Sequence, residues 1–416
     1  MRFKFGLLVV TAFIFSIPVW SQEKTDSWFM DLLNSQASPL LKRVLSHPDS
    51  FQYQIIYTQI ERDKHNKPHF KNYYVHVNRD QYFNPASTVK LPTALVALEK
   101  INDMKVAGVN KYTPMLTDSS YSGQSKVLTD TSSEGGLPSI AQYIRKIFLV
   151  SDNDAYNRLY EFVGQQTLNE KLRSKGYKDV RITRRFVSMN EDENRHTNAI
   201  RFVQNGQTIY EQPPAYSNVS FDFSKTILVG KGHWDSRDSL INEPMDFTKH
   251  NNLPLEDLQH MLQSALFQES VPKSQRFHLT RDDEHLLYQY MSAYPSESVK
   301  PGYDTSEYFN SYAKFFYKAG HQRVPAFIRI FNKPGWSFGY LTDAGYVADF
   351  KNHIEFMLSA VIYVNADGIL NDDKYEYEEI GYPFFSEVYN IIYQYDLHRK
   401  RKYYPDLSTF NLRNGQ

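Results

Sequence analysis

Asn84-Pro85-Ala86-Ser87-Thr88-Val89-Lys90-Leu91-Pro92 is the stretch on which the reading of this chain turns. Its proline sits where a first helical turn tolerates one, and Leu91, Leu95, Val96 and Leu98 follow on one side of the helix it opens. Residues three apart share a helix face, so the Lys90 amine is expected within reach of the Ser87 hydroxyl. A serine at a helix N-terminus has free backbone N–H groups and the positive end of the dipole beside it, which favours an oxyanion there. Desolvated behind Leu91 and Leu95, Lys90 would be neutral often enough to take the serine proton. The bare pattern Ser-x-x-Lys carries nothing alone, because it recurs at Ser21/Lys24, Ser270/Lys273 and Ser311/Lys314. Only Ser87 opens a helix directly after a strand and a loop.

Outward from that turn, the upstream sequence reads as a helix over 27–45 and two strands, 53–61 and 73–77, joined by the charged turn 62–69. Downstream come helices over 139–150 and 154–164. A loop-and-strand stretch over 183–252 has an Asn205-Gly206 hairpin signal and an alternating run at 219–229. Helices return at 255–268 and 282–293, strands at 326–332, 339–347 and 353–364, and a closing helix at 384–397. Strands at both ends of the chain around a helical middle predict an α/β (α+β) fold. One antiparallel sheet is built from both chain ends and flanked by helices, beside an all-helical lobe, with the site in the cleft between them.

The 416 residues are 41% hydrophobic, enough for a substantial core, and 23% charged, with Lys+Arg and Asp+Glu equal at 47. That balance offers no field of one sign for nucleic acid or an anionic membrane. Without cysteine the chain has no disulfide, thiol nucleophile, iron–sulfur ligand or lipoprotein anchor. Arg2 and Lys4 ahead of the apolar run 5–20 read as a signal peptide over 1–21, so the protein is expected in the bacterial periplasm with no membrane span after processing. The folded unit is expected over 22–398 with an insertion at about 197–252, followed by a tail over 399–416. The acidic run 371–379 and basic run 398–402 read as solvated surface. No Gly-x-Ser-x-Gly elbow, His-Glu-x-x-His, phosphate loop or dinucleotide fingerprint occurs. The 13 histidines, His250, His260, His321 and His353 among them, lack metal-ligand spacing, so neither metal nor other cofactor is expected.

Two further clusters bear on Ser87. Ser151-Asp152-Asn153 joins two predicted helices with Asp152 placed as an N-cap; its hydroxyl suits a proton relay and its amide a substrate contact, though an ordinary helix–helix turn reads the same way. Lys333-Pro334-Gly335-Trp336 enters a late strand, ahead of Ser337-Phe338-Gly339-Tyr340 and Asp343. A lysine there suits a substrate carboxylate, and the glycine permits close backbone approach. Lys318-Ala319-Gly320 is a rival for this third position.

These three clusters in this order resemble the S-x-x-K, S-D-N and K-T-G signature of the class A serine β-lactamases and the related penicillin-binding proteins, over roughly residues 45–398. The resemblance implies Ser87 as acylated nucleophile, Lys90 as its base and Ser151 as proton shuttle to the departing nitrogen. It further implies Asn153 on the substrate amide, Lys333 on the carboxylate, and an oxyanion hole from the backbone N–H groups of Ser87 and Trp336, with Gly335 beside it. The expected activity is β-lactam opening by a monomer. The alternatives are a D,D-peptidase or penicillin-sensing protein that acylates with little turnover on a peptidoglycan peptide, and a catalytically silent binding module. Two departures stand out. Pro334 replaces a hydroxyl residue, and the long interval from Asn153 to Lys333 lacks the family's Glu-Pro…Asn pattern. Glu243, in the one Glu-Pro dipeptide there, is the candidate deacylating base, with Glu191 and Glu193 as alternatives.

Overall fold

The structure is a computed structural model that describes residues 22–121 and 123–412; the predicted signal segment lies outside them. The chain enters through two helices, α1 (Ser27–Gln36) and α2 (Pro39–Leu45), where one was expected. Pro39 supplies the break: it has no N–H to continue α1 and occupies the first turn of α2. Ser38 caps that turn through a bond from the Leu41 N–H at 3.2 Å. The Ser38 hydroxyl also donates to Glu387 (2.7 Å), tying the break to the end of the chain.

Strands β1 (Gln54–Arg62) and β2 (Pro68–Val75) follow, then helix α3 (Lys90–Met104). The helical lobe continues with α4 (Ile140–Val150), α5 (Asn153–Val163) and α6 (Gln165–Ser174). Asn205-Gly206 turns the hairpin β3 (Ile200–Gln204) to β4 (Gln207–Gln212), as its sequence predicts. The alternating run at 219–229 is largely loop, with only Leu228–Val229 in a strand. Next come α7 (Leu255–Leu266), α8 (Arg281–Ser292), β5 (Ile328–Asn332), β6 (Gly335–Ser337), β7 (Tyr340–Asp349), β8 (Ile354–Tyr363) and α9 (Tyr382–His398).

The main sheet runs β5–β7–β8–β1–β2 with β6 paired to β7, and every pairing is antiparallel. The two ends of the chain therefore meet in one sheet, and the fold is the expected two-lobe α/β arrangement. Both faces of the sheet are covered, and the period of two along each strand shows it. Ile55 and Tyr57 of β1 and Phe356, Leu358 and Ile362 of β8 pack with Phe29, Leu41, Phe384, Val388 and Ile392 of α1, α2 and α9. Their sequence neighbours Ile56, Met357 and Val361 turn the other way, onto Leu91, Leu95, Leu258 and Leu262 of the helical lobe. Residues 399–412, expected as part of a tail, pack against the fold. Leu407 and Phe410 enter the core, with Phe410 against Phe267, Tyr288, Phe331 and Tyr346, and Arg399 and Arg401 are buried ion-pair partners of Asp396. The basic run there is thus only partly solvated. No helix among the described residues is long and apolar enough to cross a membrane.

Candidate active site

The Ser87 turn is built locally. The Asn84 side chain accepts the Ala86 N–H (2.9 Å), and both the N–H (3.0 Å) and hydroxyl (2.6 Å) of Thr88 donate to the Pro85 carbonyl. Ala86 is held at φ 44°, a left-handed conformation that costs a non-glycine residue energy. The short 3₁₀ turn Ala86–Val89 then runs into α3, leaving Ser87 half-buried on a cavity of about 180 Å³. Its walls include Asn153, Arg184, Phe186, His250, Trp336 and Phe338. Larger hollows of about 490 and 500 Å³ lie elsewhere on the surface, and none of the three clusters lines them.

Strand β6 presses against this turn. A Cβ at Gly335 would lie 2.7 Å from the Ser87 nitrogen, 2.8 Å from the Pro85 oxygen and 2.9 Å from the Thr88 nitrogen, so only glycine fits. The third cluster and the first are therefore in direct backbone contact. The buried Pro334 lies between β5 and β6, where no ladder pair needs its missing N–H.

Behind the turn sit two fully buried amines, Lys90 and Lys333, on either side of Ser151. Ser151 ends α4 in the left-handed conformation (φ 61°), and Asp152 caps α5 by accepting the Ala155 N–H at 2.8 Å. Lys90 Nζ bonds the Ser151 carbonyl (2.5 Å), Asn153 Oδ1 (2.6 Å) and Ser151 Oγ (3.3 Å). Lys333 Nζ bonds Ser151 Oγ (2.9 Å) and the Pro334 carbonyl (2.7 Å). Burial, reinforced by the neighbouring Lys333 charge, holds Lys90 well below the usual lysine range. Lys90 donates in all three of these contacts, so its nitrogen is held against Ser151 and Asn153. Burial also brings Lys333 down to about 7, against the opposing pull of Asp343. Contrary to the spacing argument, no hydrogen bond joins Lys90 to Ser87; the amine is turned toward Ser151 and Asn153. The amide nitrogen of Asn153 has no hydrogen-bond partner among the described residues.

The rival lysines have other work. Lys314, of the last Ser-x-x-Lys pattern, is buried against the Met291 and Ile330 carbonyls and Asn332 Oδ1, and Asn332 in turn donates to Asp343. Lys318 lies 4.3 Å from the Trp336 ring and 4.7 Å from that of Tyr382, a cation behind the cleft wall.

None of the candidate glutamates reaches Ser87. Glu243 is exposed between the short strands Leu240–Ile241 and Met245–Asp246, whose pairings carry the Glu-Pro dipeptide to the surface; only its carbonyl is engaged, by His233 at 2.9 Å. Glu191 is bound by Lys249 (2.9 Å) and Arg195 (3.4 Å), and the Lys249 hydrogen bond holds it below the usual carboxylate range. Glu193 closes a capping box with Asn190. No carboxylate of the described residues lines the cavity, whose charged residue is Arg184. Sequence reasoning missed Arg184 and set His250 aside with the other histidines. The Arg184-Arg185 doublet was the available signal: Arg185 is buried 3.2 Å from Glu161, which leaves its neighbour to face the cleft.

Against known proteins, residues 40–212 match the model described as the Beta-lactamase enzyme family. That stretch holds the Ser87 and Ser151 clusters, and over it the chain is similar to the serine β-lactamases. Among solved structures, a β-lactamase from Xanthomonas campestris pv. campestris is 13% identical with a TM-score of 0.49, covering 88% of this chain and 98% of that one. A class A β-lactamase described as the last common ancestor of Gram-negative bacteria is 15% identical with a TM-score of 0.47, covering 87% and 99%. TLA-3 extended-spectrum β-lactamase is 12% identical with a TM-score of 0.47, covering 86% and 98%. No curated protein matches the chain.

Proposed function

We propose that this protein is a serine hydrolase that opens β-lactams through an acyl-enzyme on Ser87, acting as an exported, periplasmic monomer. The observation that carries the reading is the pair of buried amines on Ser151, behind a half-buried Ser87 that follows the strained Ala86. In this reading the Ser87 oxygen attacks the lactam carbonyl while its proton passes, directly or through one water, to neutral Lys90. Ser151, receiving a hydrogen bond from Lys333, passes a proton to the departing nitrogen. The Asn153 amide meets the substrate amide, and backbone N–H groups of Ser87 and Trp336 face the developing oxyanion, such donors being worth roughly 10²–10³ in rate each.

One observation favours a second reading. With no carboxylate on the cavity wall, nothing there resembles the glutamate that activates water in class A enzymes, so the acyl-enzyme would persist, as in a D,D-peptidase or penicillin-sensing protein. Intact-protein mass spectrometry with benzylpenicillin, followed from seconds to hours beside Ser87→Ala, separates the two. A transient adduct on Ser87 with hydrolysed drug accumulating supports the β-lactamase, and a lasting adduct supports the second reading. No adduct, or one that survives Ser87→Ala, would refute acyl transfer through Ser87.

A further inference from the structure

Arg184 is an unusual charge for a cleft wall. It is half-buried, lines the Ser87 cavity, and forms no ion pair with any described residue, whereas its neighbours Arg181 and Arg185 are engaged by backbone carbonyls or Glu161. Its one side-chain hydrogen bond runs from Nη1 to Nε2 of His250, at 3.1 Å. That imidazole is uncharged near neutral pH, since burial and the adjacent guanidinium bring it down to about 4. A neutral acceptor fixes the direction of the guanidinium without cancelling its charge. His250 is itself held edge-on to Phe247 (4.5 Å between ring centres), and the Arg184 backbone is pinned by the Tyr156 hydroxyl on its carbonyl (2.9 Å). The remaining N–H donors of the fork are unused among the described residues.

The usual claimant for a substrate carboxylate is poorly equipped here. Lys333 is fully buried, spends its hydrogen bonds on the Ser151 hydroxyl and the Pro334 carbonyl, and has no hydroxyl residue following it because residue 334 is proline. Arg184 and His250 also border a second hollow of about 200 Å³, so the space for substrate continues past them.

We propose that Arg184 is the carboxylate-recognising residue of the Ser87 cleft: it takes an acidic substituent of an amide or lactam substrate in its planar fork, with His250 as the positioning residue that aims it. This assignment rests on the cleft being the acyl-transfer site. The acid can belong to the acyl side or to the leaving side of the scissile bond, and three probes separate these. Carbenicillin differs from benzylpenicillin by a carboxylate on the acyl side chain, and benzylpenicillin methyl ester lacks the ring carboxylate.

Equilibrium binding of the three is to be measured by calorimetry on Ser87→Ala, which cannot acylate, and on Ser87→Ala/Arg184→Gln, with matched thermal melts as the folding control. An acyl-side carboxylate makes carbenicillin bind tighter than benzylpenicillin, and a leaving-side one makes benzylpenicillin bind tighter than its ester. In either case Arg184→Gln collapses that ratio by about tenfold or more, as loss of a charge-assisted hydrogen bond predicts, and Arg184→Lys restores it only in part. Ratios unchanged by Arg184→Gln, all three affinities weakened equally, or no binding of any probe would each overturn the assignment. None of these results bears on the Ser87 adduct of the intact chain, so Arg184 and the acyl-transfer reading can fail separately.

Discussion

Gly335→Ala tests the contact on which the site depends. The added methyl would stand 2.7, 2.8 and 2.9 Å from three backbone atoms of the Ser87 turn, none of which can swing aside as a side-chain tip would. Ordinary contact needs roughly 3.5 Å, so β6 and the turn must part by ~0.6–0.8 Å. Overpacking of this kind costs about 1–3 kcal/mol of stability, which a core of this size tolerates. The chemical cost is larger: the nucleophile and the Trp336 strand move apart by close to the distance at which misplacement costs on the order of 10² in rate. The expected outcome is an acylation rate constant with benzylpenicillin lowered about a hundredfold, in a protein that keeps its circular dichroism and melts cooperatively. Gly135→Ala, where an added Cβ meets nothing within 4 Å, serves as the control and changes neither quantity. Acylation of folded Gly335→Ala within about threefold of the parent would refute the claim that β6 sets the geometry of Ser87.

Lys90→Met should slow adduct formation by about 10²–10⁴, the usual worth of a general base, and unchanged kinetics would mean another group activates Ser87. Glu243→Gln should leave both acylation and adduct lifetime within about twofold of the parent, because the residue is exposed and off the cavity; a trapped adduct would return it to the mechanism. Asp343 is buried and raised from 3.8 to about 7, chiefly by desolvation. A carboxyl raised on folding contributes stability that is fully present below its unfolded value and lost as pH climbs through about 7, a change of roughly 4 kcal/mol at about 1.4 per unit. Between pH 4 and 7, urea titrations should therefore show the parent losing stability relative to Asp343→Asn by about that amount, and a pH-independent gap would contradict the assignment.

Much of the fold was legible because its signals are local. The Asn205-Gly206 turn, the Asp152 cap and the doubly apolar strands over 326–364 each have a short-range cause, and each appears close to where the pattern predicts it. The misses have longer-range or subtler causes. The helix read over 27–45 is cut by Pro39, whose break is stabilised by Glu387 from the far end of the chain. The basic run after 398 looked solvated because its acceptor, Asp396, is buried by Tyr57 of β1. The alternation at 219–229 matches a strand, but only its last two residues find a partner strand.

At the site the same division decides what was seen. Ser87, Ser151, Asn153, Lys333 and Gly335 are legible through local context and the resemblance of three short clusters to a family signature, and the structure brings those clusters together around one cleft and the amines behind it. The search for a water-activating carboxylate followed residue type, through a Glu-Pro dipeptide and two nearby glutamates, and each proves to be exposed, ion-paired or used as a cap. The charge the cleft wall does carry is the opposite one, Arg184, steadied by a neutral His250 that lies 66 positions away in sequence. A cleft whose wall carries a guanidinium in place of a carboxylate is suited to gripping an acid and poorly suited to activating water. On the proposed reading, the lack of a carboxylate among the described residues of the wall and the Arg184 fork without an ion pair among them act together: the same surroundings that would prolong an acyl-enzyme would also select the acidic substrates that form it.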